Sequence, residues 1–231
     1  MASEKPKNLQ MKGSAEAAKA YHSQYKGSPA EAYLAARGLG EVSNRFGMGY
    51  VGSALTGDER STGMLVIPYL RPAGAEFVAT IRFRCIADEC VKDENGEYLA
   101  PTRRENHVGH GKYQSLPGDH PRIYNTAALI APSPYIALSE GEFDTQASEL
   151  AGVPCVGKQG TSAWRDYFYP ALVGFEVVFI IADGDDPGIK AADKMAAEMP
   201  NGKVILLGAD HDINSFVHTK GVDAYRRKLG L

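Results

Sequence analysis

The stretch "VVFIIADGDDPG", Val177–Gly188, decides the fold prediction because a run of six apolar residues ends abruptly in acids. A short apolar run bounded by turn residues is typical of a strand buried on both faces, as in a parallel sheet. The acids that follow, Asp183, Asp185 and Asp186, would repel one another. They therefore either form a turn that caps the next helix or surround a cation.

The segments around this stretch alternate between strand and helix patterns from about residue 134 to the end. The strand patterns are "YIALSE", "VPCVGK", "EVVFIIAD" and "GKVILLG", and the helix patterns are "GEFDTQASELAG", "TSAWRDYFYPALVG", "PGIKAADKMAAEMP" and "VDAYRRKLG". This alternation predicts an α/β unit, a parallel sheet flanked by helices over residues 134–231. Its ligand site is expected beyond the carboxyl ends of the strands.

The preceding part of the chain has a different, α+β pattern. Residues 1–13 are polar and predict a flexible tail, and residues 14–133 predict an N-terminal subdomain. Helices are expected in "SAEAAKAYHSQYKG", "SPAEAYLAARGLG" and the start of "EVSNRFGMGYVG", and antiparallel strands in "GMLVIPYL", "AEFVATIRFRCI" and "EYLAPTRRE". Because side chains alternate along a strand, Arg82 and Arg84 should project from the same face.

Acidic residues follow three of the predicted parallel strands. They are Glu140 after the first strand, Asp183 and Asp185 after the third, and Asp210 and Asp212 after the fourth. Oxygen ligands gathered at one sheet edge predict a site for Mg²⁺ or Mn²⁺. Asp144 lies one helical turn after Glu140, where it either faces this site or interacts only with the dipole of its own helix.

The segment "VGKQGTSAW" after the second strand offers groups that bind phosphate. Lys158 and Thr161 flank a glycine, and the following helix start has free N–H groups. The order of residues is not that of a P-loop. An ordinary helix start is the alternative explanation.

The composition is that of a globular protein, with 44% hydrophobic and 23% charged residues among 231 and a net charge of −3. No basic excess indicates a nucleic-acid partner, although a local basic groove is compatible with this total. We expect Cys85, Cys90 and Cys155 to be free thiols and no zinc to be bound, because three cysteines cannot make a four-cysteine zinc site. Four histidines are scattered and are expected to be surface or loop residues and not ligands: His107, His110, His120 and His211. Neither a signal peptide nor a membrane-spanning run is visible, so a cytoplasmic protein without a membrane partner is expected.

Three motifs in the second half resemble the Toprim domain: "SEGEFDTQASELAG", "GKQGTSAW" and "IIADGDDPGIKAADK". The first half resembles the DnaG-type primase core, in "AYLAARGLGEVSNRFGMGYVG", "GMLVIPYL", "VATIRFR" and "HGKYQSLPGDHPRIYNTAAL". The resemblance covers residues 15–231 in the family's order. It identifies the chain as similar to a minimal, phage-like version of this catalytic core.

The resemblance implies synthesis of short RNA primers on single-stranded DNA by metal-dependent nucleotidyl transfer during DNA replication. It makes Glu140, Asp183 and Asp185 the catalytic and metal-binding acids, supported by Asp144, Asp210 and Asp212. It assigns Arg82, Arg84, Lys112 and Arg122 to nucleotide and template binding. Tyr113 and Tyr124 either stack on bases or belong to the core. The implied partners are template DNA, ribonucleoside triphosphates, a replicative helicase and a separate zinc-binding module, in the bacterial host cytoplasm. A Toprim nuclease and a non-catalytic replisome module are the alternatives.

Overall fold

The computed structural model describes residues 7–72, 74–160, 163–184, 186–209 and 211–231. The chain divides into two compact units. Unit 1 contains the chain up to Ala36, Ser43–Leu99 and Glu105–Asp119, and unit 2 contains Arg37–Val42, Ala100–Arg104 and His120–Leu231. Compared with the pattern change near residue 134, unit 2 also includes residues 120–133 and two short earlier segments.

The first helices are α1 (Lys7–His22), α2 (Pro29–Ala36) and α3 (Gly40–Ser43). Helix α1 begins at Lys7, before the helix pattern that starts at Ser14 in the sequence, and the predicted division into tail and subdomains stays a prediction. The start of α2 agrees with the sequence: the Ser28 hydroxyl accepts the Glu31 N–H at 3.3 Å, and Pro29 occupies the first helical position. Tyr21 and Tyr25 are buried in unit 1.

Unit 1 contains an antiparallel sheet in the order β1-β2-β3-β4. The strands are β1 (Gly49–Tyr50), β2 (Leu65–Arg71), β3 (Gly74–Arg84) and β4 (Tyr113–Ser115), and a short helix, α4 (Asp88–Val91), follows β3. The strand predicted over "EYLAPTRRE" is wrong, since only an isolated bridge joins Lys92 to Tyr98. Pro101 in this segment has no N–H for a ladder, which explains why pairing stops.

Unit 2 contains a parallel sheet in the order β6-β5-β7-β8. The strands are β5 (Tyr135–Ser139), β6 (Cys155–Gly157), β7 (Val177–Ala182) and β8 (Gly202–Leu206), and the helices are α5 (Glu142–Leu150), α6 (Asp186–Glu198), α7 (Ile213–Lys220) and α8 (Val222–Leu229). Ile136, Leu138 and Ile180 are almost completely buried at the centre of this unit. The predicted α/β class, with a parallel sheet flanked by helices, is confirmed.

One predicted element of unit 2 has a different form. "TSAWRDYFYPALVG" contains a 3₁₀-helix, Asp166–Ala171, where an α-helix was predicted. Pro170 lies inside it, and a proline there would clash with the carbonyl four residues earlier in an α-helix. In the described parts of the chain, the helices are all too short or too polar to cross a membrane.

Candidate functional site

Three acidic residues of unit 2 follow the carboxyl ends of neighbouring parallel strands. Glu140 follows β5, Asp183 follows β7, and Asp212 lies beyond β8 at the start of α7. Since β5, β7 and β8 are adjacent and parallel, their carboxyl ends lie at the same edge of the sheet. Glu140 is buried, whereas Asp183 and Asp212 are partly exposed. This edge of the sheet, the acidic edge, therefore combines the buried Glu140 with two acids that a ligand can reach, Asp183 and Asp212.

Asp144, in the first turn of α5, interacts electrostatically with the acids of this edge. Its side chain is buried, and its Oδ1 atom accepts the Asn214 N–H at 3.0 Å. Burial raises the pKa of Asp144 well above its usual value, and the charges of Asp212 and Asp183 raise it further. The Asn214 N–H and the Arg37 guanidinium oppose this shift. The sequence left two alternatives for Asp144: it faces the predicted metal site, or it interacts only with the dipole of its own helix. These interactions favour the first alternative.

Lys158 places a buried cation at the same edge. The residue follows β6, is 2% exposed, and its Nζ atom lies 3.5 Å from Glu140 Oε1. This contact is an ion pair but not a hydrogen bond, and within the described part of the chain Nζ has no hydrogen-bond partner. Burial lowers the pKa of Lys158, while the charges of Glu140 and Asp183 oppose that shift. A buried cation with unused donors is suited to an anion such as a phosphate.

Asp212 has a structural task in addition to its place at the acidic edge. Its Oδ1 atom accepts the Ser215 N–H at 2.6 Å, and the Ser215 hydroxyl accepts the Asp212 N–H at 3.1 Å. This reciprocal pair caps the start of α7. The cap fixes the Asp212 side chain.

Asp185, Asp210 and Thr161 lie outside the described residues, so their predicted roles stay predictions.

The described acids fit a divalent cation that is shared with a substrate. A cation would relieve the repulsion that raises the pKa of Asp144. Mg²⁺ usually binds one or two carboxylates and completes its shell with water and phosphate oxygens. Among the described residues, these carboxylates do not form a group with ligand atoms within 4.8 Å of one another. The acidic edge therefore suits a site completed by phosphate oxygens better than a closed cage of protein ligands.

The predicted basic residues of unit 1 surround Tyr113. The guanidinium carbons of Arg82 and Arg84 lie 4.5 and 4.8 Å from the centre of the Tyr113 ring. Arg82 and Arg84 are on the same face of β3, as the alternation predicted, but both are buried. Lys112 has a side chain that is 44% exposed. Lys112 is therefore more accessible to a ligand than either arginine.

Glu105 neutralises this basic cluster and was not anticipated from the sequence. Both of its carboxylate oxygens accept from Arg84 Nη2, at 2.9 and 2.8 Å, and Lys112 Nζ lies 3.3 Å away. Burial opposes ionisation of Glu105, but Arg84 and Lys112 outweigh it and lower its pKa. The pKa of Arg84 is raised: burial opposes this, and the Tyr113 and Tyr33 hydroxyls and Glu105 outweigh it. Glu105 lies in an irregular segment without periodicity, so no sequence signal pointed to it.

The remaining predicted residues have varied environments. Arg122 is partly buried in unit 2. Tyr124 is 1% exposed and accepts a hydrogen bond from Gln146, which favours the core alternative over base stacking. His107 and His110 lie in a loop, as expected, but they also lie beside Cys85 and Cys90. The spacing of Cys85 and Cys90, with four residues between them, lies within the range found in zinc sites, but the histidines that join them come from a separate segment.

Comparison with solved structures identifies the fold as that of the DnaG primase catalytic core. The RNA polymerase domain of Mycobacterium tuberculosis primase DnaG matches with a TM-score of 0.72 and 18% identity, covering 97% of this chain and 84% of that chain. The same domain in complex with a double-stranded DNA oligomer carrying a 6-nucleotide overhang matches with a TM-score of 0.69 and 18% identity, covering 94% and 78%. No protein-family model matches the sequence.

A sequence relative then defines the family more narrowly. The gene 57 protein of Mycobacterium phage D29 is 37% identical over 169 residues, which cover 72% of this chain and 98% of the phage protein. The chain belongs to the family of this phage protein.

Proposed function

We propose that the chain is the catalytic core of a DNA primase, which synthesises short RNA primers on single-stranded DNA. The observation that carries this proposal is the set of acids at one edge of the unit 2 sheet, in a chain with the DnaG catalytic fold. Glu140, Asp183 and Asp212 follow adjacent parallel strands. The charges of Asp183 and Asp212 also raise the pKa of the buried Asp144. This pattern supports phosphoryl chemistry more specifically than the fold alone.

In the proposed reaction the 3′-hydroxyl of one ribonucleotide attacks the α-phosphate of the next, and pyrophosphate leaves. Mg²⁺ or Mn²⁺ would neutralise charge on the attacking and leaving oxygens. Glu140 and Asp183 would hold the cation, Asp144 and Asp212 would add negative charge, and Glu140 would help to remove the hydroxyl proton. Asp185 and Asp210 are proposed as further ligands on the basis of their sequence positions.

The basic side chains have separate roles in this proposal. Lys158, held beside Glu140, would bind a triphosphate oxygen. Lys112 and Arg82 would bind template or nucleotide phosphates, with the Arg82 guanidinium held beside the Tyr113 ring. Arg84 is buried and neutralised by Glu105, so we assign it to positioning Tyr113 and Lys112. Thr161 and Arg122 are proposed as additional phosphate contacts.

The DNA-bound M. tuberculosis domain supports a nucleic-acid template as a partner. Template DNA and ribonucleoside triphosphates are therefore proposed as the substrates. A replicative helicase and a separate zinc-binding module are proposed as partners. Action in the cytoplasm of a bacterial host follows if the chain is phage-encoded, like its relative.

A primer-synthesis assay tests the proposal. The purified chain is incubated with single-stranded DNA, labelled ribonucleotides and Mg²⁺ or Mn²⁺, and short RNA is the expected product. Asp183→Asn should abolish synthesis without changing the circular dichroism spectrum, because it removes a charge from the partly exposed acidic edge. Asp186→Asn is the matched control, because Asp186 is an exposed acid three residues away at the start of α6; it should retain synthesis.

The alternatives predict different products. Shortened DNA without RNA would favour a nuclease, which uses the same metals for hydrolysis. Metal binding with neither synthesis nor cleavage would favour a non-catalytic module. Full synthesis by Asp183→Asn would contradict the assignment of the acidic edge.

A further inference from the structure

Two cysteines and two histidines of unit 1 form a compact group of potential metal ligands. One ligand atom from each of Cys85, Cys90, His107 and His110 lies within 4.8 Å of the others. Both cysteines are buried and unbridged, His107 is partly buried, and His110 is exposed. Thiolate and imidazole are the ligands that Zn²⁺ prefers, whereas Mg²⁺ takes oxygen. The group is therefore chemically different from the acidic edge of unit 2.

The distances within the group match the edges of a zinc-centred tetrahedron. With Zn–S of about 2.3 Å and Zn–N of about 2.05 Å, a regular tetrahedron has S–S edges of about 3.8 Å and S–N edges of about 3.6 Å. The Cys85 and Cys90 sulfurs are 3.8 Å apart. Nε2 of His110 lies 3.3 Å from the Cys85 sulfur and 3.5 Å from the Cys90 sulfur. Three of the four ligands thus have the separations that one zinc ion requires.

His107 has the properties expected of the fourth ligand. Its Nε2 atom bonds to Glu105 Oε2 at 2.9 Å, which leaves Nδ1 for another partner. Nδ1 is buried and has no hydrogen-bond partner among the described residues. A buried polar atom without a partner is costly, so this atom needs a ligand. The Glu105 contact is the kind of outer carboxylate that orients zinc-binding histidines.

Local structure brings the two segments together. Cys85 directly follows β3, and Cys90 lies in α4 one turn later. Backbone hydrogen bonds from Cys85 N–H to Lys112 O and from Asn106 N–H to Cys90 O tie this region to the segment that carries the histidines. Gly109, with φ of +86°, provides the left-handed residue in the turn between His107 and His110. The geometry is therefore supported by the backbone as well as by the side chains.

We propose that Cys85, Cys90, His107 and His110 bind one structural Zn²⁺ ion in unit 1. Four protein ligands close the coordination shell, which is the arrangement of structural zinc sites. The ion would fix the segment around His107 and thereby hold Glu105 against Arg84 and Lys112. The expectation of no zinc, which rested on the number of cysteines, is set aside by this proposal, because two histidines complete the ligand set.

Metal analysis of the untagged, full-length protein tests the site without measuring primer synthesis. Protein purified under reducing conditions should contain about one zinc per chain. After removal of zinc, Co²⁺ should produce the visible absorption of a tetrahedral thiolate site. If zinc-free protein gave no such spectrum with added Co²⁺, the proposal would be overturned. It would also be overturned if the purified protein contained a Cys85–Cys90 disulfide and still bound no metal after that disulfide was reduced.

Matched variants separate this site from other thiols and imidazoles. His110→Ala changes an exposed side chain, so the fold should survive. Zinc affinity should fall by at least about tenfold, because loss of a residue that only orients a zinc ligand already lowers metal affinity by about that factor. Cys90→Ser should lose the thiolate spectrum. The controls are Cys155→Ala, a buried thiol in unit 2, and His218→Ala, an exposed imidazole in α7. Both controls should retain zinc; equal loss in controls and site variants would contradict the proposal.

Discussion

Replacing Glu105 with glutamine tests whether the buried ion pair of unit 1 holds the basic cluster together. The side chains of Glu105 and Arg84 are 3% and 2% exposed and lie 2.8 Å apart. Glutamine keeps the shape and one acceptor oxygen but leaves the Arg84 charge uncompensated. Removing one partner of a buried pair costs about 3–5 kcal/mol. Because the Tyr33 hydroxyl can still donate to the new amide oxygen, we expect the lower end of this range, about 3 kcal/mol.

Lys112→Met is the matched control because it removes a second cation from the same carboxylate. Its ammonium is 3.3 Å from Glu105, but the Lys112 side chain is 44% exposed, so its loss should cost no more than about 1 kcal/mol. A double variant, Arg84→Met with Glu105→Gln, removes both buried charges. It should recover part of the stability lost in Glu105→Gln, since an apolar replacement of a buried pair is often close to neutral.

Urea unfolding followed by far-ultraviolet circular dichroism measures these differences. With an m-value of about 1–3 kcal/mol/M, a loss of about 3 kcal/mol lowers the midpoint by roughly 1–3 M. The measurement is made at a fixed zinc concentration and again with chelator, because His107 also contacts Glu105. A midpoint for Glu105→Gln no lower than that for Lys112→Met would refute the reasoning. A double variant that is less stable than Glu105→Gln alone would also refute it.

Three further predictions concern the charged residues of the two units. The pKa of Asp144 in the folded protein is raised above its usual value of 3.8, so folding favours the protonated carboxyl group. The stability that this group contributes is fully present below pH 3.8 and is lost as the pH rises through the pKa of the folded state. Asp144→Asn should therefore raise the free energy of unfolding at neutral pH without divalent ions, by about 1.4 kcal/mol for each unit of the shift, and flatten its pH dependence; a less stable variant with unchanged pH dependence would contradict this. Lys158→Met should increase Mn²⁺ affinity in a titration, because it removes a positive charge 3.5 Å from Glu140, while slowing primer synthesis; weaker Mn²⁺ binding would argue against the shared edge. Lys112→Ala should lower the salt dependence of single-stranded DNA binding by about one unit of slope, as loss of one phosphate contact does, whereas Lys92→Ala, which removes a lysine paired with Asp88, should leave it unchanged.

The elements with strong local signals could be predicted from the sequence. The apolar run that forms β7 needed no tertiary information, because burial on both faces of a parallel strand gives a continuous pattern. The alternation along β3 correctly placed Arg82 and Arg84 on one face. The order of acids after the strands also follows from periodicity alone, because each strand ends where the apolar run ends.

The contacts that depend on irregular backbone could not be predicted. Glu105, His107 and His110 lie between residues 99 and 113, where no strand or helix forms. Their partners, Arg84 and Cys85, are about twenty residues earlier in the chain. Such contacts are set by how the loop folds back on the sheet, and this leaves no periodic signal. The buried position of Arg84 has the same origin, because alternation gives the face of a strand but not what covers it.

The two charged clusters differ in a way that separates supporting residues from reactive ones. In unit 1, Glu105 is paired with Arg84, Lys112 and His107, and its pKa is lowered, so these charges stabilise the fold. In unit 2, burial and, after it, like charges raise the pKa of Asp144, and burial lowers that of Lys158. Folding alone would not favour that arrangement, so a ligand that brings both positive and negative charge is its simplest explanation. A nucleoside triphosphate with its divalent cation has this combination, which is why the acidic edge, and not the more complete ion-pair network, is the better candidate for the chemistry.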